Sequence, residues 1–334
     1  MSVPSSKLLA SKAVRVLSVL LLASVHYQIA VHVVSLGPSA QASQGILDGL
    51  PHWRIYQSRV LGPLLMGSLE RWTGLGYGPA YLMILQLACA SLHALLATFY
   101  ARLGLSALRS CLLALGFIAA FTPLVWHEWF YVWDALDLVL VQAFVIGVLS
   151  SFSLTVLSCI FGAALLNHEI ALFMPLWLIV LQLCEAWPLT RWTRKRALYV
   201  ASALATMVLS SMLIEWLRTT FLVREVGPRM FRDYDARYAD PSLQWHLLPN
   251  FGELAQALRT LSVRGSLAIV LLALSAVLIA LARAPQPAVK SLSVTFLLLL
   301  AATLSFGLVF ETRVYLVFLA YVFTVPVFAA RAAR

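Results

Sequence analysis

Four short stretches of this sequence place acidic residues beside arginine, histidine or aromatic residues. In chain order they are LDGLPHWRIYQSRVLGP from Leu47, WHEWFYVWDALDL from Trp126, LLNHEIALFMPLW from Leu165, and ETRVYL from Glu311. A carboxylate can accept a proton from an attacking hydroxyl group. Arginine holds phosphate oxygens through paired hydrogen bonds. The four stretches therefore predict proton transfer close to a bound anion.

The candidate residues in these stretches fall into three roles. Asp48 and Asp134 are the candidate catalytic bases. The candidate phosphate-binding residues are Arg54, Arg59 and Arg313. The candidate substrate-contacting residues are His52, Trp53, Gln57, Glu128, Trp133, Asp137, His168, Glu169 and Glu311.

Each stretch also has a purely structural interpretation. The first is typical of an interfacial helix with snorkelling arginines and an aromatic belt. Asp134 suits the N-terminal cap of a helix. Asp137 shares its helix face but lies about one turn further into the membrane, where an unpaired carboxylate is costly. Glu311 and Arg313 are close enough in sequence to neutralise one another.

The composition indicates the kind of scaffold that must position these residues. The 334 residues are 61% hydrophobic and 11% charged, with a mean hydropathy of +0.88. Because soluble domains average about 25% charged residues, the sequence predicts a polytopic, all-helical membrane protein built as one domain, residues 1–334. The four cysteines lie in apolar stretches without CxxC pairing, which argues against disulfides and a thiolate metal site.

Several other classes of function are disfavoured by the same sequence. The net charge of +10 does not indicate nucleic-acid binding, because the basic residues do not form one soluble surface. Neither His127-Glu128 nor His168-Glu169 continues as HExxH, and neither a GxSxG motif nor a glycine-rich phosphate loop is present. No metal site is predicted, because the spacing of the histidines gives no support for one, and a requirement for a divalent metal stays open.

Apolar runs of about 20 residues give the expected membrane crossings. Ten are predicted, at 13–36, 79–100, 108–126, 134–150, 152–167, 170–187, 197–217, 265–283, 291–310 and 314–330. With the N-terminus inside, all four lysines (Lys7, Lys12, Lys195 and Lys290) fall on the inner side, whereas the outer side receives numerous arginines but no lysine. The position of the lysines agrees with the positive-inside bias. Both termini are then cytoplasmic, and the four stretches with candidate residues lie on the outer side.

The apolar run from Phe152 to Trp187 is predicted to be two short helices. One continuous helix would bury Glu169 and would move the basic cluster at 191–196 to the outer side. A tight turn at 167–169 avoids both costs. The region 37–78 is then the first outer loop, and its segment near 59–71, interrupted by glycine and proline, is expected to be half-inserted or interfacial.

In this predicted topology the region 218–264 forms the large outer loop. It mixes arginines, acids and aromatic residues, and it ends in a predicted helix at 251–263. Asn250 and Glu253 resemble a capping box at the start of that helix. The loop is expected to be either a structural cap over the bundle or a lid that binds an acceptor.

The outer motifs resemble bacterial polytopic glycosyltransferases of the GT-C superfamily. The resemblance rests on an acid after the first span, QSRVLGP, an aromatic-rich WD pair, the NHE turn and the final ETR. It implies sugar transfer from a polyprenyl-phosphate donor to a glycan, lipid or other envelope component, on the periplasmic or extracellular face of a bacterial plasma membrane. It also implies that the base is an acid of the first outer loop, here Asp48, with Asp134 as the other candidate.

The implied partners are membrane lipid, the lipid-linked sugar and the acceptor, with no nucleic acid. Elementary chemistry agrees with sugar transfer, because attack by a hydroxyl group needs a base and a departing phosphate needs cationic donors. Two other functions remain open. One is a transporter or flippase for a lipid-linked anionic substrate, which predicts repeats and ionisable groups at mid-membrane. The other is a non-catalytic partner in polysaccharide assembly.

Overall fold

The computed structural model describes residues 5–33, 36–48, 58–126, 130–187, 191–217, 220, 245–260, 265–283, 286–307 and 311–333. All regular structure in these ranges is helical. The first half of the chain contains α1 (Ser5–Val33), α2 (Leu36–Leu47), α3 (Leu61–Thr73), α4 (Tyr77–Arg102), α5 (Ala107–Val125), α6 (Val132–Leu149) and α7 (Leu154–Asn167).

The second half begins with a short 3-10 helix, Glu169–Leu172. It continues with α8 (Phe173–Ala186), α9 (Arg194–Trp216), α10 (Leu247–Arg259), α11 (Gly265–Arg283), α12 (Pro287–Phe306), a second 3-10 helix (Thr312–Tyr315), α13 (Phe318–Val322) and α14 (Val325–Ala332). Local sequence accounts for several ends. Ser106, Ser153 and Thr193 each accept a hydrogen bond from the first turn of α5, α7 and α9.

Eight segments of the described chain are long and apolar enough to cross a membrane. They are Ala13–Val33, Tyr77–Arg102, Ala107–Val125, Val132–Leu149, Glu169–Ala186, Arg194–Trp216, Pro287–Phe306 and Thr312–Ala332. Two shorter apolar helices, Leu154–Asn167 and Leu267–Arg283, correspond to the other two predicted crossings. The chain is therefore an all-helical protein with the segments of a membrane bundle, and the count of ten crossings stays a prediction.

One end of the bundle gathers acidic residues, and we call it the acidic end. The start of α4, the end of α5 and the start of α6 lie together at this end. Two hydrogen bonds connect them: Tyr81 donates to the carbonyl of Phe130, and Thr312 donates to the carbonyl of Leu124. The acids Asp134, Glu169 and Glu311 lie at this end, in contact with two arginines.

The opposite end carries arginines, and we call it the basic end. Arg331, at the end of α14, donates a hydrogen bond to the carbonyl of Gly104 in the turn between α4 and α5. Arg196, at the start of α9, lies 3.5 Å from the carboxylate of Glu185 near the end of α8. Most of the acids in these ion pairs therefore lie at one end of the described bundle.

The apolar run 152–187 is broken into two helices, as the sequence predicted. α7 ends at Asn167, and His168 has extended backbone angles (φ −163°, ψ 142°). The chain then turns back from the acidic end, since Trp177 of α8 donates a hydrogen bond at 2.9 Å to Ser291, near the start of α12. The C-terminus of α12 lies at the acidic end, so the N-terminus of α12 lies far from the acidic end, and α8 extends toward that N-terminus.

The segment near 59–71 forms helix α3, which packs closely against α6. A Cβ atom added at Gly62 would lie 2.5 Å from Cγ1 of Val132, so only glycine permits this approach. Pro63, Met66 and Gly67 are also buried in α3. The close contact brings residue 59 to the first turn of α6.

The predicted start of the helix at 251–263 is wrong. The helix is α10, which begins at Leu247, so Asn250 lies inside its first turn and is not its N-cap residue. Asn250 is buried, and its amide group donates hydrogen bonds to the carbonyls of Leu304 and Gly307 at 2.8 and 2.7 Å. These bonds tie α10 to the end of α12. The remainder of the loop between 221 and 244 lies outside the described residues.

Candidate functional site

Four separate segments meet at the acidic end and bring charged side chains together. We call this group the charged cluster. Its members are Arg59, Asp134, Asp137, His168, Glu169, Glu311 and Arg313, with the rings of Tyr131 and Trp133 beside them. The segments are the residues before α3, the first turn of α6, the turn after α7 and the residues before the second 3-10 helix.

Arg59 connects the start of α3 to the turn after α7. Its guanidinium donates a hydrogen bond to Oε1 of Glu169 at 3.0 Å. The guanidinium carbon also lies 5.5 Å from the ring centroid of Trp133, within the range of a cation–π contact. Arg59 is 7% exposed at its side chain, so its charge depends on these partners.

Arg313 makes a matching set of contacts on the other side of the cluster. It donates a hydrogen bond to Oδ2 of Asp134 at 3.2 Å and pairs with Glu311. Its guanidinium carbon lies 4.7 Å from the ring centroid of Tyr131. The interpretation of Glu311 and Arg313 as an ion pair agrees with this geometry, and Asp134 joins the same pair.

Asp134 also stabilises the start of α6. Its Oδ2 accepts a hydrogen bond from the backbone N–H of Tyr131 at 2.9 Å, three residues earlier. An acid at this position satisfies a backbone donor that the helix itself leaves unpaired. The helix-capping alternative and the ion pair with Arg313 therefore coexist at one carboxylate oxygen.

The two arginine sites are joined through stacked aromatic rings. Tyr131 and Trp133 stack with their ring centroids 4.4 Å apart and their planes 15° from parallel. Trp133 is fully buried, and Tyr131 is 1% exposed. Because each ring meets one guanidinium, the rings fix the relative positions of Arg59 and Arg313.

A third connection links the turn after α7 to the second turn of α6. Nδ1 of His168 pairs with Oδ2 of Asp137. The amide group of Asn167 donates hydrogen bonds to Oδ1 of Asp137 at 2.7 Å and to the carbonyl of Trp133 at 2.8 Å. Asp137 is therefore paired, as a carboxylate within the membrane-spanning range must be.

Exposure divides the cluster into an inner and an outer layer. Asp137 and Asp134 expose 4% and 8% of their side chains. Glu169 and Glu311 expose 27% and 29%. Two arginines face four carboxylates, so these six groups carry a formal charge of −2. The arrangement offers proton acceptors and held guanidinium groups on one partly open surface.

The structure does not bring every predicted residue to this cluster. Asp48 follows α2, is exposed, and makes no ion pair with a described residue. The neighbouring Leu47 packs against Gly67 of α3, about one and a half turns from Gly62. His52, Trp53, Arg54, Gln57 and Glu128 lie outside the described residues. The eight other predicted residues are in or beside the cluster.

Two residues of the site were not among the sequence candidates. Asn167 was predicted only as part of a turn, although an amide inside an apolar run is itself a signal, since such groups need a partner there. Tyr131 lies in an aromatic-rich stretch, where nothing in the sequence distinguishes a ring beside arginine from a membrane-boundary ring.

Among the described residues, no three histidine, cysteine, aspartate or glutamate side chains are placed to hold a metal ion. No family model matches the sequence, and neither the curated proteins nor the solved structures give a match. The resemblance to GT-C glycosyltransferases therefore depends on the motifs that the sequence itself carries.

Proposed function

We propose that this protein is a membrane glycosyltransferase that moves a sugar from a polyprenyl-phosphate donor to an acceptor on the outer face of a bacterial plasma membrane. The observation that carries the proposal is the meeting of Arg59, Asp134, Glu169 and Arg313 at one end of the bundle. These residues belong to the four stretches on which the resemblance rests, and 254 positions separate the first from the last.

The charge balance of the cluster suits sugar transfer. Reaction at an anomeric carbon passes through a transition state with positive charge on the sugar ring. The surplus of carboxylates stabilises that charge, while guanidinium groups stabilise the departing phosphate. Arginine and carboxylate side chains that are already in place need little rearrangement during the reaction.

The donor phosphate is proposed to bind at Arg59 and Arg313. Each guanidinium pairs with a glutamate that is more exposed than itself, Glu169 or Glu311. A phosphate can replace these carboxylates, because both present oxygen acceptors to the same N–H groups. The polyprenyl chain would remain in the lipid, so the reaction needs no nucleotide-binding fold.

The proposed orientation follows from charge and from the ten predicted crossings. With both termini in the cytoplasm, the basic end faces inward and the acidic end faces outward. The donor and the acceptor, a glycan, a lipid or another envelope component, then meet outside the plasma membrane.

The test is sugar transfer by the purified protein from a panel of synthetic polyprenyl-phosphate sugars to an envelope extract. Arg59→Lys keeps the charge but loses the planar pair of donors, so we expect at least a tenfold loss of transfer. Arg196→Lys, which alters an arginine–glutamate pair at the basic end, is the matched control and should transfer normally. Normal transfer by Arg59→Lys would reduce Arg59 to a structural anchor.

A transporter of a lipid-linked anion is the second candidate, and one observation favours it. His26 and His93 are buried inside the membrane-length segments Ala13–Val33 and Tyr77–Arg102, with ring nitrogens 3.2 Å apart. Ionisable residues within spans frequently belong to transport pathways. If wild-type protein in liposomes moves a labelled lipid-linked sugar across the bilayer without consuming it, the transporter replaces the enzyme.

A further inference from the structure

We infer that His168 is the group that takes the proton from the acceptor hydroxyl, and that Asp137 and Asn167 are its positioning residues. The inference rests on the proposed sugar transfer and names the base within that site. It places the base in the turn after α7, and not at Asp48 or Asp134.

The contact with Asp137 determines which nitrogen of His168 carries the proton. An ionised carboxylate only accepts hydrogen bonds, so Nδ1 of His168 donates to Oδ2 of Asp137. In a neutral imidazole the proton on Nδ1 leaves a lone pair on Nε2. This is the arrangement in which a carboxylate orients a histidine base.

Nε2 of His168 is the end of the ring that can meet a substrate. It lies 3.7 Å from Oε1 of Glu169, which is beyond hydrogen-bond distance. Within the described residues Nε2 has no hydrogen-bond partner. The His168 side chain is 18% exposed, whereas Asp137 is 4% exposed. An imidazolium formed at this site is stabilised by both carboxylates.

The acids of the cluster are less suited to be the base. Oδ2 of Asp134 accepts from Arg313 and from a backbone N–H. The two oxygens of Asp137 are occupied by Asn167 and His168. A carboxylate oxygen that already accepts from a guanidinium, an amide or an imidazole has to give up or share that hydrogen bond before it can receive the proton of an acceptor hydroxyl. Glu169 and Glu311 are each held by an arginine.

The backbone and Asn167 fix the direction of the His168 ring. The backbone N–H of His168 donates to the carbonyl of Ala164 at 2.8 Å, which seats the residue on the last turn of α7. Asn167 joins α7 to α6 through both Asp137 and the carbonyl of Trp133. The ring is therefore held between two helices and does not depend on a mobile side chain.

The proposed step balances as a single displacement. Nε2 of His168 takes the proton of the acceptor hydroxyl while that oxygen forms a bond to the anomeric carbon. The bond from the anomeric carbon to the phosphate oxygen breaks, and its electron pair leaves with the polyprenyl phosphate. The imidazolium then releases its proton to water, which restores the base.

The test compares His168→Ala with His32→Ala, a matched control at an exposed histidine near the end of α1. We expect His168→Ala to transfer sugar about 10²-fold more slowly or worse, with donor binding kept, and added imidazole to restore part of the rate.

Asp137 is tested as a positioning residue in the same assay. Asp137→Asn can donate to Nδ1 and so favours the wrong tautomer, so its rate should fall by about 10²-fold or more. Asp137→Glu should recover part of the loss in kcat.

The base assignment is overturned if His168→Ala equals wild type, or if Asp48→Asn alone abolishes transfer. A wild-type protein that transfers sugar from no donor overturns the proposed function instead.

Discussion

Each arginine of the charged cluster is held on two sides, by a carboxylate and by an aromatic face. Arg59 lies over Trp133 and Arg313 over Tyr131, and both side chains are less than a tenth exposed. Burial of an unpaired guanidinium would cost several kcal/mol, about 3–5 kcal/mol when one partner of a buried pair is removed. The acids at this site therefore stabilise the fold in addition to any catalytic role. The activity of each acid variant has to be compared with its unfolding free energy.

Asp134 is the residue at which the stability contribution of an ion pair can be compared with that of a helix cap. Asp134→Asn weakens the pair with Arg313 as well as the bond to the Tyr131 N–H, so we expect a loss of about 2 kcal/mol or more in unfolding free energy. A capping residue alone is worth about 1 kcal/mol. Denaturant unfolding in detergent measures the difference.

The control for Asp134 is Ser153→Ala, which removes a simple side-chain cap at the start of α7. It should cost about 1 kcal/mol or less. If Asp134→Asn loses no more than this control, the pair with Arg313 contributes nothing to stability and Asp134 is only a cap.

At the scale of elements, the contact between α3 and α6 sets the position of Arg59. Gly62→Ala would place a methyl group 2.5 Å from Cγ1 of Val132, and valine cannot turn aside without leaving its preferred rotamer. We expect a loss of about 1–3 kcal/mol in stability and a fall in sugar transfer, since α3 moves and carries Arg59 with it. Denaturant unfolding and the transfer assay measure both effects.

Val132→Ala in the same chain should recover most of the loss caused by Gly62→Ala, because it removes the clashing methyl groups. Gly162→Ala in α7 is the control: nothing lies within 4 Å of its added Cβ, so it should be neutral or stabilise by about 0.5–1 kcal/mol. A destabilised Gly162→Ala would show that the effect at Gly62 is not specific to the α3 contact.

The elements also show what the sequence could and could not predict. The break at His168 was predictable, because a glutamate at the centre of a span is costly and the polarity is visible locally. The start of α10 was not, since Asn250 reads as a cap but bonds to carbonyls of α12 more than fifty residues away. The pairing of Arg59 with Glu169 across 110 residues likewise depends on helix packing, which no local pattern encodes.

Residue types were thus more predictable than partners at the candidate site. Charge within apolar sequence singled out Asp137, His168 and Glu169, since each is costly without a partner. The resemblance favoured Asp48 as base, whereas the base that we infer is His168, whose Nδ1 pairs with Asp137. Only the fold shows that Asn167 and His168 both pair with Asp137.

At the scale of the whole molecule, the two ends of the bundle differ in charge. Arg196 and Arg331 lie at the basic end with the turn at Gly104, and the charged cluster lies at the acidic end. The short cytoplasmic loops of membrane proteins carry an excess of lysine and arginine. The predicted topology places all four lysines on the same side of the membrane as the basic end, so this end is expected to be cytoplasmic.

This orientation can be measured by labelling cysteines from outside. In a background without the native cysteines, Gly45→Cys in α2 should react with an impermeant thiol reagent added to right-side-out vesicles, and so should His168→Cys. Ser106→Cys, at the exposed cap of α5 beside the basic end, is the control and should react only after permeabilisation.

An impermeant amine reagent should likewise leave the lysines unlabelled from outside. Labelling of Ser106→Cys or of Lys195 in sealed vesicles would reverse the orientation, and the charged cluster would then meet cytoplasmic and not envelope acceptors.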